Sequence, residues 1–303
     1  MENVLEVKNL TKKFGSFTAV NDISFSLKEG EILGFLGVNG AGKTTTLQML
    51  LGVLAPTSGS INYFGKNFFN HREELLEEIN FSSTYTNLPW NITVKENLHF
   101  ISYLYKISDR KKRVEEIIDI FKLEKLKNQV MGELSAGQLT RANLAKSFIN
   151  HPKILLLDEP TASLDVDIAD YIRKFLLEQK EKWKTSIIIT SHNMAEVAEI
   201  CDRVIIINGG KIVADDTPDN LTKSIQIGHV ELLIKEGLNK AIEYCHKKNI
   251  SYKTSGKYIT VDIKEKDLGQ FLIELTQKEI VYDEISIEKP SLEDYFFQVI
   301  AKK

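Results

Sequence analysis

Between residues 5 and 33 apolar and polar positions alternate, with valine, isoleucine and phenylalanine prominent, and the alternation breaks at Phe14-Gly15-Ser16 and Lys28-Glu29-Gly30. A period of two with turn residues at the breaks predicts antiparallel strands, each giving one face to a core. Residues 32–36 form an apolar run, which predicts a strand buried on both faces. The period then changes. Leu47, Leu50, Leu51 and Leu54 fall at helical spacing, so a helix is predicted over 44–54, with Pro56 closing it.

Helical spacing continues over 73–78, 94–106, 111–121 and 137–148. From there short apolar runs and amphipathic stretches alternate: strand 154–157, helix 168–180, strand 186–190, helix 195–201, strand 203–207. That order predicts a parallel sheet with helices on its faces. After residues 211–215 the cluster Asp216-Thr217-Pro218-Asp219 caps a short helix, and a first domain, 1–223, ends there. The remainder, 224–303, restarts with its own pattern: strand 230–234, helix 240–248, hairpin 251–254 with 258–263, helix 268–277, strand 281–287. This βαββαβ order predicts a small α+β domain of the split βαβ, ferredoxin-like kind, followed after Pro290-Ser291 by a helix over 292–300.

A length of 303 residues accommodates two such domains. With 43% hydrophobic and 27% charged residues, the chain has the makeup of a soluble globular protein with a substantial core. The formal net charge of -3 supplies no global basic field and gives no support to a nucleic-acid partner. Cys201 and Cys245 are far apart and lack metal-ligand spacing, so they read as buried thiols rather than a disulfide framework or a zinc site. The N-terminus is charged and opens a strand, with no basic-then-apolar leader, and the runs 154–157 and 204–207 fall far short of the ~20 residues that cross a bilayer.

Three motifs carry chemistry. The first is Gly37-Val38-Asn39-Gly40-Ala41-Gly42-Lys43-Thr44-Thr45, lying between a predicted strand and a predicted helix. Glycines 37, 40 and 42 let backbone N–H groups turn toward phosphate oxygens, Lys43 brings a point charge to the β and γ phosphates, and the Thr44 hydroxyl suits Mg²⁺. The helix N-terminus behind them adds about half a positive charge. The second is the strand ending in Asp158-Glu159. Adjacent carboxylates at such a strand end divide into a metal-shell role and a water-polarising role; a surface acid pair is the bland alternative. The third is Leu134-Ser135-Ala136-Gly137-Gln138, where Ser135 can cap a helix whose open N-terminus faces an anion.

In this order the three motifs resemble the nucleotide-binding subunit of an ATP-binding cassette (ABC) transporter, over roughly residues 4–223. The resemblance implies a P-loop α/β ATPase core with an antiparallel β subdomain and a helical subdomain of about 85–150 carrying the signature at 134–138. It implies MgATP bound through Gly37, Asn39, Gly40, Ala41, Gly42, Lys43, Thr44 and Thr45, with Thr44 and Asp158 at the metal and Glu159, His192 and Lys43 as the catalytic set. It also implies a head-to-tail dimer, in which Ser135, Gly137 and Gln138 of one copy, with Asp165 of the loop Ser163-Leu164-Asp165, reach ATP held by the other. Phe14 is either the adenine platform or a strand core residue. For His192 the competing role is a cap on the next helix. The family usually has a glutamine where this chain has Thr84, which leaves a hydroxyl in place of an amide near the metal and implies slower or differently coupled hydrolysis. Val38 replaces a frequent proline without touching phosphate. The region 87–92 receives the membrane subunit in this family, so Trp90 is either an exposed anchor or folded under its own loop.

The tail, ending in Glu288-Lys289-Pro290-Ser291-Leu292-Glu293-Asp294-Tyr295, is similar to the accessory domain of exporter-type ABC ATPases moving drugs, lipids, glycans or ions. The implied protein is a peripheral ATPase on the cytoplasmic face of the membrane that powers a separate permease. Two other readings stand beside it. One is a soluble ABC ATPase acting on ribosomes or DNA, which a single cassette without heptads or basic runs disfavours. The other is a slow-hydrolysing nucleotide sensor, motivated by Thr84.

Overall fold

The computed structural model describes residues 2–83, 88–225, 227–264 and 267–301. Contacts divide the chain into two compact units, Met1–Thr217 and Pro218–Lys303.

In the first unit, β1 (Asn3–Phe14) and β2 (Phe17–Lys28) form the expected hairpin. The chain continues through β3 (Ile32–Gly37), α1 (Lys43–Leu50), β4 (Ser58–Tyr63), β5 (Lys66–Asn67), α2 (Arg72–Leu76) and β6 (Ile79–Ser83). The helices α3 (Val94–Ser102), α4 (Arg110–Ile120) and α5 (Ala136–Ser147) follow and pack on one another. Then come β7 (Ile154–Asp158), α6 (Val166–Trp183), β8 (Ser186–Thr190), α7 (Met194–Ile200), β9 (Arg203–Asn208) and β10 (Lys211–Asp216).

These strands make two sheets. One is antiparallel, in the order β2-β1-β4-β5; the other runs β10-β9-β3-β8-β7-β6, parallel throughout except for β10. Leu5, Val7, Ile61 and Tyr63 of the first sheet share one core with Phe35, Leu156, Ile188 and Ile205 of the second. Each such buried side chain contributes about 1.5–3 kcal/mol. That shared core fixes the position of the β1–β2 turn over the end of β3.

Two elements differ from the sequence expectation. Helix α1 stops at Leu50, not Leu54, because Gly52 turns left-handed at φ +67° and the N–H groups of Val53 and Leu54 both return to the Gln48 carbonyl oxygen. Pro56 therefore plays no part in ending it. Strand β6 has no counterpart among the predicted elements, because polar Asn80 and Ser82 interrupt its apolar positions. Both are buried, and the Asn80 side-chain amide donates to Asn150 Oδ1 at 2.8 Å. In register, Ser83 of β6 stands beside Asp158.

The second unit contains α8 (Pro218–Lys223), β11 (Ile227–Glu236), α9 (Leu238–Lys248), β12 (Tyr252–Ser255), β13 (Tyr258–Lys264), α10 (Leu268–Gln277), β14 (Val281–Glu288) and α11 (Leu292–Ala301). Its antiparallel sheet runs β12-β13-β11-β14, the strand order of a ferredoxin-like sheet. Val230, Leu232, Ile259 and Val261 pack against Ala241, Tyr244, Phe271 and Leu275 of α9 and α10. The boundary falls between Thr217 and Pro218, ahead of the position near 223 expected from sequence, because α8 packs on α11 rather than closing the first unit.

Candidate nucleotide-binding site

The glycine loop leaves β3 at Gly37 and enters α1 at Lys43. Gly42 sits at φ +109°, and a Cβ there would stand 2.6 Å from the Ala19 carbonyl oxygen. At Gly37 a Cβ would meet the Ile207 carbonyl oxygen at 2.5 Å. Both contacts are with rigid backbone, so no larger residue fits. Lys43 Nζ folds back to donate to the carbonyl oxygens of Gly37 at 2.5 Å and Val38 at 3.3 Å. Burial holds its pKa below the usual lysine value, while Glu159 and Asp158 pull it back up.

Asp158 ends β7 and is buried; its Oδ1 accepts a hydrogen bond from the Thr190 hydroxyl at 2.6 Å. Glu159 follows at φ +56°, a left-handed conformation that typically costs a non-glycine residue ~1–2 kcal/mol. Its N–H donates to the Thr190 carbonyl oxygen at 3.1 Å and to Thr190 Oγ1 at 3.2 Å. Glu159 Oε1 lies 3.2 Å from His192 Nε2. Burial raises the Glu159 pKa, the neighbouring His192 and Lys43 oppose that rise, and the Asp158 charge adds to it.

His192 does not cap the following helix. Asn193 does so, its side chain accepting from the Glu196 N–H at 3.2 Å. This leaves the imidazole exposed and turned to Glu159. Beneath it the Glu196 carboxylate accepts from Thr161 Oγ1 at 2.7 Å and Ser191 Oγ at 3.2 Å, tying the two loops on either side of the pair.

These groups line a cavity of about 320 Å³. Asn39, Gly40, Gly42, Lys43, Thr44 and Thr45 form one wall, and Asp158, Glu159 and His192 another. Phe14 and Phe17, from the β1–β2 turn, line it as well. Phe14 is not a core residue: it is 50% exposed, with Lys12 Nζ 5.1 Å from the ring centroid. Thr44 and Asp158 also line a second cavity, of about 360 Å³, together with Ser82 and Ser83. Thr84 lies outside the described residues.

Not every expected residue converges here. Ala41 is buried beneath the loop, its N–H bonded to the Val38 carbonyl oxygen at 3.1 Å, and Gly37 turns its carbonyl to Lys43. Ser135, Gly137, Gln138 and Asp165 are absent from the cavity walls. Ser135 and Gln138 instead form a capping box at the start of α5, with Ser135 N–H donating to Gln138 Oε1 at 2.9 Å and Gln138 N–H to Ser135 Oγ at 3.3 Å. Gly137 abuts the Ser163 carbonyl: a Cβ would come within 2.9 Å of that oxygen. Signature and Ser163-Leu164-Asp165 loop are thus in mutual contact.

Sequence reasoning overlooked Phe17, Thr190 and Glu196. A second aromatic flanking the same turn was a usable signal for Phe17. For Thr190 the carboxylate partner is 32 residues away, and Glu196 joins nearby Ser191 to Thr161, 35 residues away, so neither tie between loops has a linear signal.

The sequence profile of the ABC transporter family matches residues 20–162. A bacitracin transport ATP-binding protein of Enterococcus faecalis is 30% identical over 302 residues, covering 99% of this chain and 97% of that protein. This chain belongs to the ABC transporter family. Within the family it is an ATP-binding subunit: a Nod factor export ATP-binding protein of Burkholderia orbicola is 36% identical over 222 residues, 73% of either chain. Among solved structures, a dimeric ATP-binding cassette in a post-hydrolysis state bound to ADP and Pi matches with a TM-score of 0.66 and 25% identity, covering 70% of this chain and 98% of that one. The α/β ABC ATPase core and the capacity for ATP hydrolysis follow from that membership. Among the described residues, no helix of this family member is long and apolar enough to cross a membrane.

Proposed function

We propose that this ATPase binds MgATP in the Phe14–His192 cavity and uses its hydrolysis to drive export through a separate permease. The observation that carries the reading is the convergence of Lys43, Asp158, Glu159 and His192 from the ends of three neighbouring strands, β3, β7 and β8, onto one cavity. Lys43 and the loop N–H groups hold the phosphates, and Phe14 stacks on the base. The Thr44 hydroxyl and Asp158 carboxylate are hard oxygen donors on one cavity wall, a set that suits Mg²⁺. When bound, the ion neutralises phosphate charge. Glu159 accepts the proton of the attacking water, and His192 orients Glu159.

The signature residues require a second copy. Ser135, the N-cap of α5, and Gly137 in its first turn do not line the cavity that their own chain forms, which supports the head-to-tail dimer expected from the resemblance. A permease surface has support too. Trp90 is 75% exposed, and a groove of about 470 Å³ is lined by Leu51, Val53, Leu76, Phe81 and Leu104, with Val53 and Leu104 exposed. Docking there places the subunit peripherally on the cytoplasmic face of the membrane. Export, rather than uptake, rests on the accessory unit, which the Enterococcus bacitracin transport relative spans as well. The second unit regulates or stabilises the dimer.

The test is the Glu159→Gln variant. It is expected to bind ATP as tightly as wild type, to lose turnover by ~10²–10⁴-fold, and, purified from solubilised host membranes with ATP and Mg²⁺, to bring down a polytopic membrane protein. Near wild-type hydrolysis removes Glu159 from the mechanism. Ribosomal or DNA-bound partners, with no membrane protein, overturn the transporter reading.

A further inference from the structure

We propose that Thr190 is a positioning residue that sets Asp158 and Glu159 in their working geometry. The inference rests on the roles proposed for those two carboxylates.

Strand β8 lies between β3 and β7, and Thr190 is the register partner of Asp158. The three residues before it, Ile187, Ile188 and Ile189, are fully buried aliphatics, the usual filling of a parallel strand covered on both faces. Valine would fill position 190 equally well by shape. The chain places a threonine there, fully buried, and its hydroxyl serves both as donor and as acceptor. Its single proton goes to Asp158 Oδ1 at 2.6 Å, and its oxygen accepts from the Glu159 N–H at 3.2 Å.

The second bond matters because of the Glu159 backbone. A non-glycine residue at φ +56° persists only where its surroundings over-determine it. Here the restraint is a forked bond from one N–H to the carbonyl oxygen and hydroxyl of the same residue, Thr190. One side chain therefore fixes the carboxylate of Asp158 and the backbone from which the Glu159 side chain projects. His192, two residues further along the same chain exit, meets that side chain at its other end.

Thr190→Val removes the hydroxyl at nearly constant shape; Thr190→Ser keeps it. Two readouts on the full chain are needed: steady-state ATP hydrolysis, and equilibrium binding of a fluorescent ATP analogue with and without Mg²⁺. Hydrogen bonds to charged groups are typically worth a factor of ~10–100. For Thr190→Val the expectation is a kcat lower by roughly that factor with KM changed less than about threefold, and a smaller gain in nucleotide affinity on adding Mg²⁺. Metal-free affinity should be kept, and Thr190→Ser should restore both losses. A merely structural residue would lower melting temperature and metal-free binding together. If Thr190→Val does not fold, Thr190→Ala against Thr190→Ser isolates the same hydroxyl. The proposal is overturned if loss of the hydroxyl leaves both readouts within about twofold of wild type, or if Thr190→Ser fails as badly as Thr190→Val. A wild-type chain that binds but never hydrolyses would sink the motor reading instead, and the Mg²⁺ readout would still decide on Thr190.

Discussion

His192 Nε2 and Glu159 Oε1 stand 3.2 Å apart in the lining of a cavity that the glycine loop also lines. The two residues are 33 positions apart in sequence, yet β7 and β8 are adjacent strands and both residues lie just beyond their C-terminal ends. In an open α/β sheet that edge is where ligands bind. The pair is therefore a consequence of strand order.

The electrostatics of the pair predict a pH effect. Burial raises the pKa of Glu159 above the ordinary glutamate value, and the nearby imidazole, when protonated, lowers it again. A base must be ionised to accept a proton, so the acid limb of the kcat/KM–pH profile, which reports the free enzyme, should lie above that ordinary value. Replacing His192 with alanine removes the lowering influence of the imidazole, and the limb should move to still higher pH as kcat/KM falls. Measured pH profiles of the two proteins check this; a limb that moves to lower pH contradicts the arrangement.

Phe14 and Phe17 bring two exposed rings to one cavity edge. If Phe14 stacks on adenine, Phe14→Ala should weaken ATP binding by ~5–100-fold, the range for loss of one base–aromatic stack. Binding of inorganic tripolyphosphate, which has no base, should be unchanged. Titrations of both ligands settle it, and a larger loss in Phe17→Ala would assign the platform to the second ring.

Gly137→Ala tests the signature. The added methyl group would press on the Ser163 carbonyl oxygen at 2.9 Å, a backbone atom that cannot swing aside, so the start of α5 must shift. Nucleotide binding by one chain should survive, because Gly137 is not in its cavity wall. ATP-dependent dimerisation in the Glu159→Gln background should weaken by ~10-fold or more, the effect of ~1.4 kcal/mol at an interface. Light scattering with and without ATP distinguishes this from an unaltered dimer.

Local pattern was most informative where one interaction range decides the outcome. Helix α10 and strand β8 follow the hydrophobic period residue for residue, and the glycine loop was visible because its glycines, lysine and threonine are contiguous. Expectation failed at one local turn, and elsewhere where distant contacts override the period. The apolar spacing past Leu50 suggested further helix, but Gly52 at φ +67° ended it. Strand β6 is held by the neighbouring β7 and by Asn150, so its buried asparagine concealed it. Helix α8 joined the second unit through contact with α11, some 70 residues later.

By itself the sequence determined which chemical groups are present and how the contiguous ones are spaced: a phosphate loop, a carboxylate pair at a strand end, a capped helix start, and a second unit with its own βαββαβ pattern. Only the tertiary structure decided which of them meet. The parallel order β3-β8-β7 brings Lys43, Thr190, Asp158, Glu159 and His192 together, and a core shared by two sheets lays Phe14 and Phe17 over the loop. The same fold leaves Ser135 and Gly137 out of the lining of their own chain's cavity. The division has a physical cause. Turn geometry and capping act over a few residues and can be read along the chain, whereas strand order and shared burial act between segments far apart in sequence and leave no local mark.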